Sequence, residues 1–117
     1  MITGLHAILF GPDADGVRAL FRDVFEMPSV DAGGGWLIFA LPPAELAAHP
    51  AGESSHELYL MCDDVARTVE ELTAKGVEFT RPVTDAGFGL VTALRLPGGG
   101  ELGLYEPRHA SPLDAGG

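Results

Sequence analysis

A single cysteine, Cys62, and seven lysines and arginines set against seventeen acids are what this 117-residue sequence is short of. One cysteine cannot close an internal disulfide, and its place in an apolar strand pattern makes a buried, inert thiol the expected state. The cation shortage leaves a formal charge of −10, which repels a phosphate backbone, so nucleic acid is not an expected partner. The seven cations (Arg18, Arg22, Arg67, Lys75, Arg81, Arg95 and Arg108) are scattered, so no polybasic stretch exists for an anionic membrane surface. Long apolar runs are missing too. The opening Met1-Ile-Thr-Gly-Leu-His6 has no basic region followed by an apolar stretch, and a cytoplasmic protein is expected.

What is present is the composition of a soluble globular domain: 46% apolar and 21% charged residues, enough to build a core without staples. The strongest signal is internal repetition. The stretch from His6 to Asp13 aligns with that from Glu57 to Asp64 at an offset of 51, each reading as a strand that runs into a helix cap. Val17, Leu20, Phe21 and Val24 then fall at helical spacing, as do Val65, Val69 and Leu72. Asp13 and Asp64 are candidate N-caps, and Gly76 a left-handed C-terminal stop. Asp31-Ala-Gly-Gly-Gly35 matches Asp85-Ala-Gly-Phe-Gly89, each preceding a strand-like run, 36–41 and 90–96. Pro42-Pro-Ala-Glu-Leu-Ala47 corresponds to Gly98-Gly-Gly-Glu-Leu-Gly103, the second being a hairpin into a last strand.

The predicted fold is therefore α+β: two tandem βαβββ modules forming a curved mixed sheet around a cavity, with the helices outside. Module one spans 1–49, a Pro/Gly/Ser linker 50–55 and module two 56–107, together a single domain; 108–117 is predicted to be a flexible tail. Alternation places Ala7, Leu9, Leu58, Leu60 and Cys62 toward the helices. His6, Ile8, Phe10, Glu57, Tyr59 and Met61 fall on the opposite, concave face. His49 and His56 border the linker and His109 belongs to the tail; all three are expected at the surface.

His6 and Asp13 at the first strand–helix junction, the Asp63-Asp64 pair, Lys75-Gly-Val-Glu-Phe79 and Pro97-Gly-Gly-Gly-Glu-Leu-Gly-Leu-Tyr-Glu-Pro107 carry a resemblance covering about residues 1–107. The chain resembles the glyoxalase/bleomycin-resistance/extradiol-dioxygenase (vicinal oxygen chelate) superfamily. The resemblance implies four metal-ligand positions, here His6, Ala47, Glu57 and Gly103. Two of these have no ligating side chain, and where relatives have Ile-Glu-Leu before Tyr-Glu-Pro this chain has Leu102-Gly-Leu104. Glu45 and Glu101 are weak substitutes, since each is offset by two strand residues, about 6.6 Å, against a zinc–oxygen bond of about 2.0–2.2 Å.

The expected site follows. His6 and Glu57 are the candidate catalytic residues, and the metal ligands if a metal binds. Phe10, Tyr59, Met61, Gly103 and Tyr105 are candidate ligand contacts. The cofactor is expected to be none or a weakly held divalent metal, because open catalytic sites still use three protein ligands. The expected function is binding, or acting on, a small organic ligand through a degenerate metal site, with a homodimer as the assembly. The alternative is a metal-dependent enzyme of the same superfamily, a glyoxalase-like lyase or isomerase ahead of an extradiol-type dioxygenase.

Overall fold

The computed structural model of the chain describes residues 6–45, 47, 48 and 50–110, so His49 and most of the predicted tail lie outside the described residues. The first helix, α1 (Ala14–Ala19), continues into a π-helical turn over Leu20–Val24; strands β1 (Ser29–Asp31) and β2 (Leu37–Phe39) follow. Then come β3 (Tyr59–Met61), α2 (Val65–Ala74), β4 (Phe79–Asp85), β5 (Gly89–Arg95) and β6 (Glu101–Pro107). The architecture is α+β with a mixed sheet. No described helix is long and apolar enough to cross a membrane.

The second module is a complete βαβββ unit with strand order β3-β6-β5-β4, in which β3 runs parallel to β6 and the other pairs are antiparallel. Its punctuation matches the sequence expectation. Asp64 caps α2 by accepting the Arg67 N–H at 3.1 Å, and Gly76 stops it at φ 90. Gly98, Gly99 and Gly100 all take positive φ in the β5–β6 hairpin, a conformation costly for any residue with a Cβ. Asp13 caps α1 in the same way, bonding the Gly16 N–H at 2.8 Å. The two Asp-Ala-Gly turns also share their chemistry: Asp31 Oδ1 accepts the Gly33 N–H at 2.7 Å, and Asp85 Oδ1 accepts the Gly87 N–H at 2.9 Å.

Module one is built differently. Its ladder among the described residues is the two-stranded ribbon β1–β2; the predicted strand at 6–10 has no pairing, and neither has 40–45. The aligned hairpins explain this. Pro42 and Pro43 stand where module two has glycines, and a proline has no N–H to give a ladder. With no fourth strand among the described residues of module one, 6–10 have no described counterpart of β6 to pair with. Alternation survives only in part of 6–10: Leu9 packs toward the core, Ile8 and Phe10 point outward at 61% and 90% exposure, and Ala7, expected on the core side, is exposed.

The first helix consequently covers the second module's sheet and not one of its own. Leu20 and Phe21 pack against Leu94 and Leu102, and Phe39 of β2 closes on Phe21 with ring centroids 5.7 Å apart. Val65 and Leu72 of α2 pack on Leu104 of the same face, with Leu60, Cys62 and Leu90 at the edge. Leu58, assigned to this face by alternation, remains 45% exposed because the ladder of β3 begins one residue later. Both helices thus lie on one side of β3-β6-β5-β4, leaving the other side open.

Candidate functional site

The register of the second sheet decides what the open face displays. Tyr59 pairs with Gly103 and Met61 with Tyr105 across the β3–β6 ladder, while Val91 and Ala93 of β5 pair with Tyr105 and Gly103. Side chains of paired residues share a face. The face opposite the helices therefore carries Tyr59, Met61, Gly103 and Tyr105, four of the five predicted ligand contacts. The fifth, Phe10, lies on the unpaired 6–10 segment and makes no ring contact with this group.

Three rings form its centre. Tyr59 and Tyr105 meet edge to face with centroids 5.5 Å apart, and Phe88, at the β4–β5 turn, stands 6.4 Å from Tyr59 and 5.7 Å from Tyr105. Edge-to-face contacts of this kind add about 0.5–1.5 kcal/mol each beyond area burial. Tyr105 is 8% exposed, whereas Tyr59 and Phe88 present 37% and 46% of their surface outward. Phe88 had no place among the predicted contacts. A signal existed: the repeat aligns Phe88 with Gly34, so an aromatic residue stands in a turn that its twin fills with glycine.

Gly103 is required by the ring above it. A Cβ at this position would overlap Tyr59 Cδ1 and stand 2.7 Å from Cε1 and 3.0 Å from the Leu58 carbonyl oxygen. The space vacated by Gly103 is filled by Tyr59, an aromatic side chain covering a strand glycine.

Each phenol ends on a carboxylate. Tyr59 OH donates to Glu57 Oε2 at 2.9 Å. Tyr105 OH lies 3.3 Å from Glu45 Oε1 and 3.3 Å from His109 Nε2. His109 Nδ1 sits 2.8 Å from the Ala110 carbonyl oxygen, which can only accept, so Nδ1 donates there. Burial first, and Glu57 second, hold the Tyr59 phenol above its ordinary pKa; burial and then Glu45 do the same for Tyr105. The His109 ring stacks on Tyr105 at 6.1 Å, and the Arg108 N–H bonds the Phe88 carbonyl at 2.8 Å. Residues 108–110, the described part of the segment after Pro107, are thus bonded to the sheet.

The remaining predicted residues are placed as follows. Glu57 stands at the edge of the aromatic group. His6 is exposed on the unpaired segment, and no hydrogen bond or ion pair joins it to Glu57. Ala47 is exposed. Glu101 pairs with Arg81 at 2.6 Å. Two shallow depressions, of about 260 and 270 Å³, lie elsewhere, one beside Lys75 and Arg95 and one along β1–β2. Cys62 is partly buried against the Tyr105 carbonyl, with its thiol pKa pushed up by burial.

A metal held by the four positions that the resemblance implies does not fit these residues. Gly103 admits no side chain beneath Tyr59, Ala47 offers no donor, Glu57 already accepts a phenol, and His6 lies apart. Among the described residues no group of three or more His, Cys, Asp or Glu is arranged to hold a metal ion.

Comparison with known proteins adds the family. The model of the Glyoxalase/Bleomycin resistance protein/Dioxygenase superfamily matches residues 5–104. No curated protein matches the sequence. Among solved structures, a lactoylglutathione lyase from Agrobacterium tumefaciens is similar at 18% identity, TM-score 0.60, over 89% of this chain and 92% of that one. TnmS3, an antibiotic binding protein from a Streptomyces species, is similar at 21% identity, TM-score 0.60, over 92% and 99%. The fosfomycin resistance protein FosX from Listeria monocytogenes is similar at 18% identity, TM-score 0.57, over 97% and 98%. At these identities the likeness is one of fold.

Proposed function

The chain belongs to the Glyoxalase/Bleomycin resistance protein/Dioxygenase superfamily, and from that premise we propose that it is a small-molecule-binding protein whose ligand lies on the open aromatic face of the second module. The observation that carries this reading is the Tyr59–Phe88–Tyr105 group. Three rings touch on a sheet face with two of them substantially exposed, where burial by a ligand recovers about 25 cal/mol for each Å² of apolar area removed from water. Few convergent polar groups on an apolar floor are the usual makeup of such sites. Glu57, at the edge, orients the ligand. A similar fold in a protein named for antibiotic binding agrees with this reading.

The binding unit is a homodimer in a cytoplasmic setting. Support for the dimer comes from area: the chain exposes 8569 Å², about 2,500 Å² beyond the roughly 6,000 Å² expected of a compact chain this size. Its radius of gyration is 15.2 Å, against about 13 Å for a compact domain. Ile8, Phe10, Val30, Ile38 and Leu41 are all more than 40% exposed. A standard interface removes about 800 Å² from each partner, about a third of this surplus.

A screen of small organic molecules by ligand-observed NMR, with Tyr59→Ala and Phe88→Ala as controls, tests the binding reading. Hits that survive metal chelation and disappear in both variants are expected. Hits indifferent to both variants would refute the site. Elemental analysis showing one tightly held metal per chain, lost on His6→Ala or Glu57→Ala, would instead put the metal-dependent lyase reading first. Sedimentation at micromolar concentration is expected to show a dimer; a clean monomer would remove the assembly claim.

A further inference from the structure

The chain has two tyrosines, both stand on the proposed binding face, and both phenol hydrogens are turned to protein acceptors and away from any ligand. Tyr59 OH donates to Glu57, and Tyr105 OH is held between Glu45 and His109. A ligand on this face therefore meets ring surfaces and not hydroxyl donors. A phenol that hydrogen-bonds a carboxylate draws negative charge toward its oxygen and ring, which deepens the negative potential above the ring that attracts cations. The carboxylates add their own charge at the edge.

The cations near the face are already engaged. Arg81, whose charge reaches Tyr59, is bound to Glu101 at 2.6 Å, and Arg108 is bound to Glu106 at 3.1 Å. An anionic ligand would have to displace one of these pairs and enter a chain of net charge −10. A cation meets complementary potential both locally and at long range.

We infer that the ligand class of this face is an organic cation of the quaternary or alkylammonium type with an aromatic or apolar body, which lies on Tyr59 and Phe88 with its charge toward Glu57. This inference rests on the binding-face reading above, and its test separates the two.

Three probes of similar size are titrated into the full chain at low salt: benzyltrimethylammonium, neutral N-benzylacetamide and anionic phenylacetate. Binding is followed through the aromatic resonances of Tyr59, Phe88 and Tyr105. The expected order is cation, then neutral, then anion, with the cation ahead of the neutral probe by about fivefold, an advantage that shrinks as salt screens it. Glu57→Gln keeps an acceptor for Tyr59 OH and removes the charge; it should weaken the cation by about threefold more than it weakens the neutral probe, and equal weakening of both would contradict the cation class. Tyr59→Phe keeps the ring and the Glu57 charge but removes the polarising hydrogen bond, so the cation preference should narrow without disappearing; a preference that widens would contradict the argument. If the three probes bind these rings equally, or the anion binds best, the cation class is wrong while the binding face stands. If none perturbs these rings at concentrations that saturate hits elsewhere, both readings fail together.

Discussion

The two modules start from nearly the same pattern and end differently, and the difference locates what a βαβββ unit needs. Both have an Asp-capped helix and an Asp-Ala-Gly turn bonded through the aspartate side chain. Module two adds a glycine hairpin with positive φ at all three glycines, which returns the chain into β6 and gives β3 a parallel partner. Module one has Pro42 and Pro43 there, shows no fourth strand among the described residues, and leaves 6–10 unpaired. One hairpin decides whether the first strand has anywhere to go, and hence whether the helix covers its own sheet or its neighbour's.

The sharpest way to break this contrast is to hollow the side that carries the core. Leu94 is 0% exposed beneath the first helix, and Leu94→Ala is expected to cost about 2–5 kcal/mol, read as a shift in denaturant midpoint with unchanged slope. Ile8→Ala, on the unpaired segment, should stay within about 0.5 kcal/mol when the chain is dilute and destabilise only at concentrations where copies associate. Equal costs at every concentration would contradict the asymmetry.

A smaller effect probes the ring over the strand glycine. Gly103→Ala forces its Cβ into Tyr59 and should cost about 1–3 kcal/mol. Tyr59→Ala in the same chain should recover most of that loss, because the overlapping ring is gone. Strict additivity in the double-mutant cycle would show that the two residues do not meet.

The smallest effect is alkaline. Both phenols are held above their ordinary value in the folded chain, mainly by burial and next by Glu57 or Glu45. Folding thus favours the neutral phenols. That contribution is whole below about pH 10, the unfolded value, and is lost as pH rises through the raised folded value. Tyr59→Phe and Tyr105→Phe should each flatten the fall in stability between about pH 9 and 11. A wild-type curve that rises over that range would reverse the assignment.

Much of the fold was legible because its signals are local. Caps at Asp13 and Asp64, the stop at Gly76 and the glycine hairpin each depend on a few neighbouring residues, and the structure shows all of them. Tyr59, Met61, Gly103 and Tyr105 share a face for the same reason. Less legible was anything set by distant parts of the chain. Phe88 joins the tyrosines because the turn after β4 folds over β6, and Glu45 and His109 reach Tyr105 from separate segments. No spacing in the sequence encodes those approaches. Periodicity gave residues 6–10 a strand pattern, but pairing requires an edge, and the prolines of the next hairpin remove it.

The open aromatic face of module two is proposed to bind small organic molecules through its own side chains. The direct measurement is a titration of the chelator-treated full chain with a hit from the small-molecule screen, followed by aromatic ¹H–¹³C NMR with all rings assigned. The account predicts saturable shifts at Tyr59, Phe88 and Tyr105, with Phe21 and Phe39 in the core unchanged. Shifts that avoid these three rings, or that appear only after a divalent metal is restored, would contradict it.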